Sequence, residues 1–580
     1  MDADAPLGVA TTRVEERVLA SLGALGAAAI RPERADDVTN AGVLCALPAL
    51  LELGLLRHSS EHFEMRPGFY PLETIFLTMA FLALARVCSL ESLRYVSQGD
   101  WGKILGLDRI PEVKTMRRKL EELTADAGKV QQWSSTLAGE WMEEEPDVAG
   151  TLYIDGHVRV YHGKLTQLPR RYVARQKLCL RGTTDYWVNA MDGRPFFVVT
   201  QTVDPGLITV LEESIVPRLI QEVPGQPSPE QLQAEPWRAR FTLVFDRAGY
   251  SPEFFRRMWA MRIAVVTYHK FPGEDWSEDE FFTRTVRLVN GEEVSLRLAE
   301  RGVCLSNKMW VREVRSLDEK GHQTPMISTD FTQHTDRIVV HLFARWCQEN
   351  FFQYMSQHYG LDKLAEYGIE PIPDTTEVVN PAWRRADAAV RRERALLSRA
   401  QAEFGALQLT AGPDAADAAS EFERKKGEQL ERIRQRELTL ETLKSQRKQT
   451  PHHLPIKDLP ESDRFAQLKT ARKHFVDTIK LMAYRAETAL VLLAREKLAR
   501  LDDGRALVRH VLSSAADILP DPVAKTLTVR LHRLASAAHD AALLHLCEEL
   551  TATETIFPGT NLRLVFHPVG ATLLPRGQEA

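Results

Sequence analysis

Apolar residues recur at helical spacing through the first quarter of the chain, in VLCALPALLELGLL (43–56) and again in IFLTMAFLALARV (75–87), while strand signals are nearly absent up to about residue 145. The end of this stretch, 89–123, reads as helix, Gly-bounded turn, short helix, turn after Pro111, and a last helix carrying Lys114, Arg117, Arg118 and Lys119. Two readings stand for it: a helix-turn-helix with its last helix in a DNA major groove, or a helical bundle with a solvated basic face. From residue 151 the texture changes to short β-branched and aromatic runs: TLYID, VRVYHG, YWVNAMDGRPFFVVTQ, RFTLVFD and IAVVTYH. The first three lie close together with glycine turns between them, and helical patterns at 207–221 and 252–261 separate the rest. A three-strand meander followed by helix, strand, helix, strand predicts an α/β layer with both antiparallel and parallel pairing.

Strand-like texture returns at about 276–334, broken by the turns NGEE and EKGHQ, and is read as a β-rich insertion. A helical segment follows at 335–367. Two charged, alanine-rich helical stretches, 383–408 and 420–448, flank the breaker-rich AGPDAADAAS and are expected to pair as an antiparallel hairpin. By charge pattern they are a solvated hairpin or an arm for DNA or a second subunit. Beyond the linker TPHHLPIKDLPESD an amphipathic helix is predicted at 463–500, then two strand-like runs around a last helix. Four regions result: 1–145, helical and a candidate DNA-binding domain; 146–367, α/β; 368–460, charged hairpin and linker; and 461–580, mostly helical with two short strands.

At 580 residues the chain exceeds what one core usually supports, and 44% hydrophobic with 26% charged residues suits a globular protein. A net charge of −5 excludes a uniformly basic nucleic-acid coat and leaves DNA contact to local basic faces. Six cysteines without a C-x-x-C pair argue against a disulfide framework and against structural zinc. The run at 75–85 is too short to span a bilayer and is expected to be a core helix. With acidic residues where a secretion signal needs basic ones, a cytoplasmic protein without membrane contact is expected.

Asp155 closes TLYID and Asp246 closes TLVFD, so two carboxylates are expected at the ends of neighbouring strands, where an α/β sheet gathers its catalytic groups. Glu349, on a helix whose Trp346, Phe352 and Met355 are expected to bury one face, is the candidate third acid, facing the sheet. Three carboxylates suit a hard divalent cation, and two such ions can drive an in-line phosphodiester displacement. His157 and His162 lie near Asp155 and are read as structural or as water- or phosphate-contacting groups. Arg247 is read as a phosphate clamp or as the partner of a nearby acid.

The order YIDGH, VFDRAGYS, β-rich insertion, then STDFTQHTDRIVVHLFARWCQENFFQYM resembles the DDE transposases of bacterial insertion sequences, in particular the cut-and-paste branch with a β insertion in its catalytic domain. The resemblance covers roughly 150–365, loosely the helices before it, and little beyond 380. It implies an RNase H-like mixed-sheet core, with Asp155, Asp246 and Glu349 as catalytic metal ligands for two Mg²⁺ ions, Mn²⁺ substituting. It further implies double-stranded DNA (element ends and target) as substrate, a homodimer in the DNA complex, and a bacterial, nucleoid-associated location. That branch carries Tyr, two residues, Arg, three residues, Glu, six residues, Lys on its glutamate helix. Arg345 and Glu349 fit, and Arg345 is then a DNA-phosphate ligand. Leu342 replaces the tyrosine and Ser356 the lysine, with Lys363 as a substitute contact. Trp310, with Trp276 as competitor, matches by region the aromatic that stacks a flipped base in hairpin-forming relatives. The alternatives are a transposase-derived DNA-binding protein without catalysis and a metal-dependent nuclease on the same fold.

Overall fold

The structure, a computed structural model, describes residues 10–163, 167–173, 176–201, 203–289, 291–363, 368–407, 415–498, 503–534 and 536–570. The end of the predicted helix at 364–367, the linker at 411–414 and the helix end at 499–500 lie outside them. Two units are distinguished: one built from Met1–Tyr161, Arg170–Gly368 and Leu468–Ala580, the other from His162–Pro169 and Ile369–Gln467.

The first unit begins with helices. Leu72–Leu84 (α1) contains the apolar run at 75–84 and is buried on nearly every side, as its all-round hydrophobicity requires. Among the described residues no helix is long and apolar enough to cross a membrane. The last helix of the basic stretch is Val113–Leu123 (α2). The chain then enters a mixed sheet with ten described strands: Thr151–Val160 (β1), Arg170–Val173 (β2), Leu178–Asn189 (β3), Pro195–Gln201 (β4), Thr242–Val244 (β5), Ala264–Tyr268 (β6), Phe282–Arg287 (β7), Glu293–Cys304 (β8), Trp310–Leu317 (β9) and Gln323–Ser328 (β10). The order is β2-β3-β1-β5-β6-β10-β9-β8-β7, with β4 also paired to β3.

Pairing is antiparallel from β4 through β3 to β1 and parallel from β1 through β5 to β6. The expected meander and parallel strands are therefore both present. The β-rich stretch read as an insertion continues this sheet: β10 pairs antiparallel with β6, and β9, β8 and β7 follow. One expectation fails locally. The strand predicted to stop at Asp155 runs on to Val160, held against β3 from Asn189 back to Gly182. Gly156 is thus no turn residue; a Cβ there would stand 3.0 Å from the Tyr186 ring, and glycine lets that ring pack flat on the strand.

Three helices position the face and back of the sheet. Pro252–Ala260 (α3) is entered as the sequence predicts, with Ser251 accepting from the Phe254 N–H and Pro252 at the first helical position. Thr335–Phe343 (α4) and Arg345–Tyr354 (α5) cover the opposite face, split at Ala344 where one continuous helix was expected. Ile338, Val339 and Leu342 share a core with Tyr153, Val244 and Val266 of β1, β5 and β6.

The second unit is dominated by Pro381–Gly405 (α6) and Ala415–Gln449 (α7), the expected hairpin, closed on Val390, Leu397 and Leu440. Back in the first unit, Ala471–Arg495 (α8) is buried on most of its circumference. Its Phe475 ring lies 5.3 Å from Trp133 and 5.2 Å from Phe76, so the helix packs among the N-terminal helices. Ala516–Asp521 (β11), Thr526–Leu531 (β12) and Arg563–Pro568 (β13) form a second sheet whose fourth strand is Ala35–Val38.

Candidate active site on the mixed sheet

Register brings the two aspartates together. In the parallel pair of β1 and β5, Tyr153 stands opposite Val244. Asp155 and Asp246 each come two residues later, so both side chains return to the face that holds Tyr153 and Val244. β5 ends at Val244, which opens space beside β1 at the level of Asp155. Asp246 leaves the strand by capping a short turn, its Oδ1 accepting from the Ala248 N–H at 2.8 Å. The turn needs Gly249: a Cβ there would meet the Phe245 ring at 2.5 Å.

Glu349 reaches the same place from α5. One turn earlier on that helix, the Arg345 Nη2 lies 3.7 Å from the Asp155 Oδ2 and 4.0 Å from the Glu349 Oε1. A single guanidinium thus stands between the first and third acids. Burial above all, opposed by Arg345 and aided by Asp246 and Glu349, holds the Asp155 carboxyl up at about 6. Asp155 feels both other carboxylates, so the site holds more negative charge than Arg345 neutralises. The Tyr268 ring at the end of β6 has Arg345 at 6.0 Å and the exposed Arg247 at 5.6 Å from its centroid. Both cations stack towards one aromatic beside the acids.

The helix does not face the sheet as the sequence suggests. Glu349 is exposed at the rim, and the inward residue is Gln348, whose Nε2 donates to Tyr153 O at 3.1 Å, Trp187 O at 3.2 Å and Asn189 Oδ1 at 2.9 Å. Trp346, expected to be buried, is 62% exposed, while Phe351 and Met355 pack inward. Gln348 was missed because a lone glutamine between Cys347 and Glu349 carries no motif. Only its three acceptors, from two strands, reveal that it clamps α5 to β1 and β3.

The remaining candidates separate. His157 is buried, stacked on Phe352 at 5.2 Å, with Nε2 2.7 Å from Asp362 Oδ1, an anchoring position between β1, α5 and the segment after it. His162 belongs to the second unit. Lys363 is exposed next to Asp362. Leu342, at the signature's tyrosine position, is a core residue, and the Ser356 Oγ is buried without a hydrogen-bond partner among the described residues. Trp310 is 63% exposed on β9. Trp276 is buried between Arg315 and Arg301, 4.3 and 4.6 Å from its ring, and so is closed to a base. On α2, Lys114 and Arg118 are exposed, Arg117 pairs with Glu91, and Lys119 turns inward to Arg66 O and Glu122. That burial removes Lys119 from any outward basic face.

Three hard oxygen donors around one partly neutralised centre suit Mg²⁺ or Mn²⁺ in chemistry. Among the described residues, however, no three acidic, imidazole or thiol side chains stand close enough to hold one ion as they are. Arg345 occupies the approach between Asp155 and Glu349.

No curated protein matches the chain significantly. A family model described as Transposase protein matches residues 8–570, which takes in the helical region, the sheet with its acids, the charged hairpin and the C-terminal sheet. With that match over nearly its whole length, the chain belongs to the transposase protein family.

Proposed function

We propose that this transposase is of the DDE type and that Asp155, Asp246 and Glu349 are its catalytic acids. One observation carries the reading: the β1–β5 register sets Asp155 and Asp246 level on one face, and Arg345 joins that pair to Glu349. The sheet, antiparallel on one side of β1 and parallel on the other, supports an RNase H-like core. The elevated Asp155 carboxyl supports a place built for added positive charge.

Asp155 and Asp246 would hold a divalent cation between the two strands, and Asp155 and Glu349 a second. Bound there, Mg²⁺ or Mn²⁺ supplies activation of the attacking oxygen and stabilisation of the leaving one. Arg345, displaced from its bridge between the acids, remains one helical turn from Glu349 to meet a DNA phosphate, and Arg247 offers a second contact across Tyr268. Gln348 keeps α5 on the sheet, which fixes Glu349 relative to the aspartates. The overall reaction is hydrolysis at the element end, freeing a 3′ hydroxyl that attacks a target phosphodiester and displaces its 3′ oxygen. The substrate is double-stranded DNA, with two ends brought together by a homodimer.

The test is a labelled duplex carrying candidate end sequences taken from either side of the reading frame, incubated with Mg²⁺ or Mn²⁺. Native protein is expected to nick and join it. Asp246→Ala is expected to lose more than about 100-fold, beyond the range typical of losing an outer-shell partner. Undiminished nicking by that variant sinks the assignment, and nicking without joining turns the reading to a nuclease.

A further inference from the structure

The charged hairpin has two chemically different sides. Residues 381–449 carry 15 Lys and Arg against 11 Asp and Glu, within a chain whose net charge is −5. On α6 the three acids are neutralised: Asp387 by Arg391 and by Arg447 of α7, Glu393 by Arg436, and Glu403 by Arg432. Arg385, Arg392 and Arg399 have no ion pair among the described residues, and all three are exposed. They recur every seven residues, so they drift by only about 20° per step and form one stripe. Val390 and Leu397 are buried on the side turned to α7, and the stripe lies about 140° round the helix from them, with Glu403 at its end turned to Arg432 of α7.

The base of the hairpin holds this face still. Glu377–Val379 pairs antiparallel with His453–Pro455. Asn380 caps α6 through the Ala382 N–H and also donates to Pro451 O at 2.9 Å, and Trp383 lies 4.1 Å from the His452 ring. At about 1.5 Å rise per residue the arginines sit roughly 10.5 Å apart and span about 21 Å. That spacing is near the Debye length in 0.1 M salt, so each acts as a separate charge. A run of about 21 Å covers roughly six base-pair rises of duplex. An unpaired stripe of guanidiniums with no acid left open on its helix is complementary to a phosphate backbone.

We propose that the outer face of α6 is a sequence-independent contact surface for the phosphate backbone of duplex DNA, each of the three arginines taking one phosphate. It rests on the transposase reading only in that duplex DNA is the partner. It does not depend on the acids of the mixed sheet.

The experiment measures binding of the full chain to a random-sequence fluorescent duplex by anisotropy over a series of salt concentrations. Native protein is compared with Arg385→Glu/Arg392→Glu/Arg399→Glu and with the corresponding triple Lys variant. Loss of three phosphate contacts is expected to lower the magnitude of the slope of log K against log salt by about 2.7. The Lys triple is expected to keep the native slope. A Glu triple that folds by circular dichroism and keeps the native slope overturns the proposal. So does a Glu triple that binds DNA normally but loses self-association in sedimentation, which gives the face to a second copy of the chain. Native protein that nicks DNA while the Glu triple keeps its slope removes this surface and leaves the catalytic reading standing. A Glu triple that loses slope, beside a native protein that never nicks, does the reverse.

Discussion

Asp155 shows how one residue's surroundings set a measurable property of the whole. Its carboxyl titrates near 6 in the folded chain and near 3.8 when free, because burial and two acids disfavour the charge. The folded state therefore binds the extra proton between those values, and stability falls as pH rises through that window. The difference corresponds to about 3 kcal/mol at neutral pH. Asp155→Asn is expected to raise the melting temperature at pH 7.5, with the advantage over native protein vanishing near pH 4. A variant no more stable than native at pH 7.5 would show that the carboxylate is already compensated. Cation binding favours the charged form, so added Mg²⁺ is expected to shrink the same difference. The two strand carboxylates were legible in the sequence because an acid directly after an apolar β-branched run is a local signal. The orientation of Glu349 was not, because a helix of mixed composition does not declare its inward side: Gln348 points in and Trp346 points out.

Elements were legible in type and order wherever their own periodicity decided them: α1, the meander, the parallel pair and the hairpin. Misreadings arose where a distant partner decided. Gly156 looks like a turn until Tyr186 is seen packed upon it, and α8 reads as amphipathic although charged residues lie inside. On β1, Arg159 forms a buried pair with Asp185 of β3, with Nη2 2.9 Å from Oδ1, and on α8 the buried Lys473 bonds Asp477. The field of Asp477 reaches Arg159, and that of Lys473 reaches Asp185, so the helix and sheet are joined electrostatically. Removing one member leaves a buried charge uncompensated, which typically costs about 3–5 kcal/mol. Arg159→Met is expected to lower the urea midpoint by a corresponding amount, and a change below about 1 kcal/mol would mean that water already reaches the pair. The strand carrying Arg159 also carries Asp155, so disorder of α8 would be felt four residues from the candidate site.

At the scale of the molecule, the sequence divides into regions by texture, and texture is blind to pairing between residues far apart. The helices before residue 145 pack on α8, and the Asp37 N–H donates to Asp517 Oδ1 at 2.7 Å across most of the chain. Removing residues 468–580 would leave Phe63, Phe76 and Trp133 without Phe475. A chain ending at Gln467 is expected to be insoluble or to be cut rapidly by protease within residues 10–145. Resistance there equal to that of the full chain would show that the N-terminal helices stand without their C-terminal cover.

Synthesis gives that long-range sheet a further meaning. Strand Ala35–Val38 pairs with β11, whose Ile518 faces Ala35. At about 5–20 residues per second, translation takes roughly 25–100 s to travel from one to the other. For that interval the nascent chain carries an unmatched strand edge and helices without their central partner, open to chaperones and to neighbouring nascent chains. Closure of that second sheet thus waits until its last strands emerge and meet the first.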